Sequence, residues 1–168
     1  MFSVFCLASV LTASASDDSV RAWSAAEDHI ARGNLTEAFI ALEEASEGVA
    51  APIAIFQEAI LRQAALDGSE SANEAFIASV NELADIEYGE MRILATYQPA
   101  AQPVFYRSVI NREIAENTMA ALTLQAAALE DSRGNADAAA AFRERIIQVW
   151  PETVDARYLT MSTQHAAH

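Results

Sequence analysis

Two stretches of this chain share one layout, and that layout limits what the chain can fold into. Gly134 to Pro151 (GNADAAAAFRERIIQVWP) reads as a turn, a helix and a stop; Gly33 to Pro52 (GNLTEAFIALEEASEGVAAP) repeats the order. Each opens on Gly-Asn. Glycine tolerates the left-handed backbone with which a helix ends, and asparagine is a favoured cap for the next one. Asn34 and Glu37 add a capping-box spacing. So short a turn makes the flanking helices antiparallel neighbours. The rest of the chain agrees. Hydrophobic residues are 52 % of the total, but much of that is alanine, which favours helix and buries little surface. With 5 Gly and 4 Pro the chain lacks the turn residues of an all-β fold. The expectation is an all-α protein of antiparallel helical hairpins.

The first fifteen residues stand apart. Phe2 to Leu11 is a short apolar run, Ala13-Ser14-Ala15 is a small-x-small cleavage pattern, and Asp17-Asp18 follow. Residues 1–15 therefore read as a secretory signal peptide, although no Lys or Arg precedes the run. A buried N-terminal helix is the other reading. Cys6, the only cysteine, lies inside this segment, so a cleaved chain has neither thiol nor disulfide.

The helices then follow in order. The first runs from Ser19 to Arg32, with Val20, Trp23 and Ile30 on one side. Leu35, Ala38, Phe39, Leu42 and Ala45 make the stripe of the second. Pro52 suits the first turn of the third, whose stripe is Ile53, Phe56, Ile60 and Ala64. Gly68 stops it, and Ser71 with Glu74 gives another capping box before Phe76, Val80 and Leu83. The string Glu-Ala-Phe-Ile-Ala occurs at 37–41 and again at 74–78, an offset typical of helical-hairpin repeats. Gly89 suggests a break between Asp85 and Glu90; a fifth helix ends near Tyr97, and YQPAAQP is a linker. From Pro103 to Asp131 nothing forces a stop, so one helix or two fit, with Tyr106, Val109, Ile110, Ile114, Ala121 and Leu124 on the apolar side. After Gly134, Asn135 caps a helix with Ala139, Phe142, Ile146 and Val149 inward and Arg143 and Arg145 outward. Glu152 to Met161 reads as a polar-faced closing helix, and 163–168 as a disordered tail.

On these residues the chain resembles the tetratricopeptide repeat family. Gly134, Ala139, Phe142 and Pro151 fill the family's turn, small-residue, aromatic and closing-proline places, and Gly33, Ala38 and Leu42 match in the earlier unit. Ala126, Ala127 and Glu130 depart from the family's first-helix pattern, and residues 85–118 match no unit. Gly33 and Gly134 lie 101 residues apart, near three repeat lengths. The resemblance implies a repeat domain over 17–162, hairpins stacked as a short right-handed solenoid, and a groove that binds a protein or peptide. A closed helical bundle is the alternative architecture.

Chemistry is sparse. The net charge is −14, and all ten basic residues are arginine. Such a surface repels nucleic acid and anionic lipid, and its first reading is solubility. Histidine is limited to His29, His165 and His168; the last two, in HAAH, lack the fixed surroundings of a metal site. Glu87/Glu90 and Glu113/Glu116 place carboxylates on one helix face, but the Glu-x-x-His partners of a carboxylate-bridged metal site are missing. No phosphate loop or nucleophile elbow occurs. No catalytic, cofactor-binding or metal residue is assigned. The candidate partner groove is Tyr97, Tyr106, Arg107, Asn111 and Arg112, which combine rings with positive charge. Against it stands a core role for Tyr106, with the arginines solvated or paired to Glu113 and Glu116.

The functional expectation is a non-enzymatic scaffold or adaptor exported to the bacterial periplasm or cell envelope, without cofactor. The alternative is an accessory subunit or hydrolase acting on envelope polymers through an acidic residue.

Overall fold

The computed structural model describes the backbone of residues 4–86, 88–97, 109 and 111–166, and the side chains of 18–86, 88–92, 109 and 111–162. Among the described residues every regular element is helical: α1 (Val4–Ala31), α2 (Leu35–Ser46), α3 (Ala51–Ala64), α4 (Glu70–Glu82), a 3-10 turn (Leu83–Asp85), α5 (Tyr88–Tyr97), α6 (Arg112–Ser132), α7 (Ala136–Val149) and α8 (Val154–Ala166). The chain divides into two compact units, Met1–Glu58 with Glu87–Arg107 and Ala59–Ile86 with Ser108–His168.

In the first unit α1 packs along α2. Trp23 and Ala26 meet an interface where Ala38, Ala41, Leu42 and Ala45 are buried. Small side chains let two helices approach closely, and Trp23 anchors the contact. Burial of a large side chain such as this contributes about 1.5–3 kcal/mol. The indole N–H donates to Gln57 Oε1 of α3 at 2.8 Å, and the Gln57 amide donates to the buried Glu27 carboxylate.

In the second unit α6 is the centre, packed against α4, α7 and α8. It therefore buries more than one stripe: Ala115, Met119, Ala120, Leu122, Thr123, Ala126, Ala127 and Glu130. Phe76, Val80 and Leu83 are buried on and just after α4; Ala139, Phe142 and Ile146 are buried on α7.

The two Gly-Asn turns are the same turn. Gly33 and Gly134 have φ of 76° and 81°, a region that costs an L-residue strain. Asn34 N–H donates to the His29 carbonyl and Asn135 N–H to the Glu130 carbonyl, each at 2.9 Å. Gly33 donates to Ile30 and Gly134 to Asp131, each at 3.0 Å. This six-residue closure satisfies carbonyls that a helix end leaves open. The 101-residue register carries on into the next helix, where Ala38, Ala41 and Ala45 answer to Ala139, Phe142 and Ile146, all buried. The repeated pentapeptide behaves differently. Its first copy buries Ala38 and Ala41 and leaves Ile40 55 % exposed, whereas its second buries Phe76 and Ile77. Identical residues thus sit at different helical phases, so the 37-residue offset is not a structural register.

Several local expectations are corrected. Asn34 and Asn135 stand at the N-caps of α2 and α7, but neither side chain makes a capping bond. The cap of α4 is Ser69, not Ser71: its hydroxyl accepts from the Ala72 N–H at 3.3 Å, while its own N–H donates to Asp67 at 2.8 Å. Hydrogen bonds donated to Asp67 by the Ser69 hydroxyl and N–H hold its carboxyl below the ordinary pKa. The break expected between Asp85 and Glu90 is present, at extended Ile86 after the 3-10 turn, but Gly89 is not its cause and lies inside α5. Asn111, in extended backbone, caps α6 by accepting from the Ile114 N–H at 3.2 Å. The helix therefore starts at Arg112, and the phase read from Tyr106 through Ile114 does not carry into it. Ile114 and Ala121 are accordingly exposed. Leu35, Ala64 and Val149, expected inward, are exposed, although each lies on the buried side of its helix; each is a terminal residue of that helix. Arg145 does not point away; its guanidinium lies 5.0 Å from the Phe142 ring and bonds Asn81 at 3.2 Å. The closing helix continues to Ala166, into the stretch read as a tail. Residues 4–15 of the expected signal segment form the start of α1. No helix of the described residues is long and apolar enough to cross a membrane.

Candidate functional site

The site is built by α7 and α8, and the connection between them explains its shape. Trp150 ends α7 and is buried, with its N–H donating to the Ile146 carbonyl at 3.0 Å. Pro151 follows and cannot continue the helix. The Thr153 hydroxyl accepts from the Ala156 N–H at 3.3 Å, starting α8. Asn117 of α6 accepts from the Val154 N–H at 3.1 Å while its amide donates to the Glu113 carbonyl at 2.7 Å. A side chain of α6 thus fixes where α8 begins. Ala156 and Leu159 face inward.

That leaves the opposite face of α8 open. Val154, Tyr158 and Met161 are 70 %, 65 % and 55 % exposed. Their spacing of four and three residues places them on one helix face. Between α7 and α8 runs a groove of about 700 Å³, lined by Ala140, Arg143, Glu144, Ile147, Gln148, Tyr158, Leu159 and Ser162. Its lining is mostly carbon. Arg143 forms an ion pair with Asp131. Glu144 accepts from the Gln148 amide at 2.9 Å and pairs with no arginine among the described residues. An apolar trough with a few polar groups on its rim suits a hydrophobic segment whose orientation those groups fix.

The candidates read from sequence fare differently. The side chain of Tyr97 and the whole of Tyr106 and Arg107 lie outside the described residues. Asn111 is committed to capping α6, and the Arg112 Nε–H donates to Glu116 at 2.7 Å, as the competing reading supposed. Arg112 does line a cleft, of about 300 Å³, with Glu113, Glu116, Asn117, Glu152, Thr153 and Arg157. Arg157 pairs there with Glu152 at 3.2 Å. Two arginines bonded to carboxylates leave little to attract an anion. Glu87 and the side chains of His165 and His168 are also outside the described residues, within which no three His, Cys, Asp or Glu side chains gather as a metal site. The α7–α8 groove was missed from sequence, although Val154, Tyr158 and Met161 carried a signal: an apolar stripe on a helix read as polar-faced.

Comparison of the chain with protein-family models, curated proteins and solved structures gives no match.

Proposed function

We propose that the protein is a non-enzymatic interaction module, an exported scaffold whose α7–α8 groove receives an apolar segment of another protein. One observation carries the reading: an apolar groove of about 700 Å³ flanked by a helix face that leaves Val154, Tyr158 and Met161 to solvent. A contiguous exposed apolar surface in an acidic chain marks an interaction site more often than it serves the monomer. The tetratricopeptide-like solenoid belongs to this proposal and draws support from the shared bonds of the Gly33 and Gly134 turns. Export draws support from the Phe2–Leu11 run and the Ala13-Ser14-Ala15 pattern.

The test is site-specific photo-cross-linking in the protein's own cells. A photoreactive amino acid replaces Tyr158 in the full-length chain, and Glu44 on α2 serves as the control position. The reading expects one partner protein cross-linked from position 158 and none from 44, on bait lacking Met1–Ala15. Absence of a partner at 158 sinks the groove; bait that keeps Met1–Ala15 sinks the export.

A further inference from the structure

We propose that the occupant of the groove is an amphipathic helix carrying lysine or arginine beside its apolar face; this rests on the interaction-module reading above. The shape argument comes first. The groove lies between two packed helices, and Tyr158 on its lining belongs to an exposed row with Val154 and Met161 at helical spacing. Ridges at such spacing accept another helix, and helix-in-groove recognition uses anchors at the same intervals.

Charge then selects among helices. Among the described residues Arg143, the one cation on the lining, is neutralised by Asp131, whereas Glu144 has only the Gln148 amide. The surrounding unit, residues 59–86 and 108–168, holds six arginines against thirteen acidic residues. A second copy of this chain would bring the same excess against itself, and like charges oppose association. A cationic flank meets complementary potential. It also gains the Tyr158 ring, whose open face attracts a cation. Lysine and arginine stems cover apolar surface while their heads stay in water. Such a side chain beside the groove satisfies both features at once.

Three synthetic 18-residue helical peptides test this, with one leucine face and flanks of lysine, glutamine or glutamate. Binding to the full chain is read by fluorescence anisotropy at low salt. The expected order is lysine, then glutamine, then glutamate, with about tenfold between the first two. Glu144→Gln narrows that gap about threefold and Glu144→Lys closes it, while Glu44→Gln, the same charge change on α2, leaves it unmoved. Tyr158→Ala weakens all three peptides. If all three bind alike and Tyr158→Ala weakens each, the groove stands and the charge selection falls. If none binds, both readings fall. If the lysine peptide binds regardless of Tyr158→Ala and Glu144→Gln, it adheres to acidic surface elsewhere and the proposal is overturned. Self-association of the chain, abolished by Tyr158→Ala in sedimentation, would make the occupant a second copy and overturn it as well.

Discussion

Asn135 holds Glu130 twice: its backbone N–H donates to the Glu130 carbonyl at 2.9 Å, and its side-chain amide donates to the Glu130 carboxylate at 2.5 Å. Arg133 completes the turn, pairing with Glu130 at 3.2 Å, with Glu74 at 3.5 Å and with Glu70. Arg133 is thus the point where the α6–α7 turn and α4 are tied together, and the Glu130 carboxylate braces it from within the turn. Glu130→Ala leaves Arg133 its other two partners, so the loss is that of two charge-assisted bonds, about 2 kcal/mol. Glu130→Gln keeps an acceptor for Asn135 and loses less. Urea unfolding checks the order, and equal midpoints for the two variants would contradict it.

The earlier turn lacks this device. In the 101-residue register Glu130 answers to His29 and Arg133 to Arg32. The His29 Nδ1 is buried without a hydrogen-bond partner among the described residues, and no carboxylate stands there for the Asn34 amide as Glu130 does for Asn135. His29→Glu offers a carboxylate to both Asn34 and Arg32. It is expected to stabilise the chain by about 1 kcal/mol, read as a raised urea midpoint. Asn34→Ala should abolish the gain.

Two glycines should respond to alanine with opposite sign. Gly134 has open space where a Cβ would sit, so the cost of Gly134→Ala is its φ of 81° alone, about 1–2 kcal/mol. Gly89 also has open space but lies in α5 without a positive φ. Gly89→Ala should therefore stabilise by about 0.5–1 kcal/mol through the unfolded chain. Thermal unfolding of the two single variants decides the matter.

Asp67 gives a pH prediction. Bonds from the Ser69 hydroxyl and N–H favour its charged form and lower its pKa from the ordinary 3.8. A lowered folded-state pKa means stability that is fully present above 3.8 and lost as pH falls through the folded value. In a carboxyl-carbon NMR titration Asp67 should titrate below its ordinary range. Ser69→Ala, which removes the hydroxyl and keeps the N–H, should return it part of the way.

What the sequence disclosed, and what it hid, follows from locality. Gly33, Gly68 and Gly134 all have positive φ, and their turns were legible because few residues other than glycine take that backbone readily. Caps were less legible. Asn, Ser and Asp crowd several helix starts, and which oxygen meets which N–H depends on a residue or two of chain direction. Ser69 rather than Ser71, and Asn111 in mid-segment, were lost that way. The burial of Trp150 and the exposure of Val149 are tertiary outcomes. The α6–α8 bond from the Val154 N–H to Asn117 is likewise a contact that no local pattern around residue 150 contains. The groove was hidden for the same reason.

The alanine interfaces carry a consequence for how this molecule can change. Ala26, Ala38, Ala45, Ala115, Ala120, Ala126, Ala127 and Ala139 are all fully buried. A larger side chain at any of them must push two helices apart, and a glycine there weakens the helix that carries it. Mutational drift is closed off in both directions along the seams of each hairpin. It stays open on the outer face of α8, where Val154, Tyr158 and Met161 can be exchanged without disturbing a packed neighbour. A lineage of such chains would keep its small-residue seams and diversify at that face without remaking its fold.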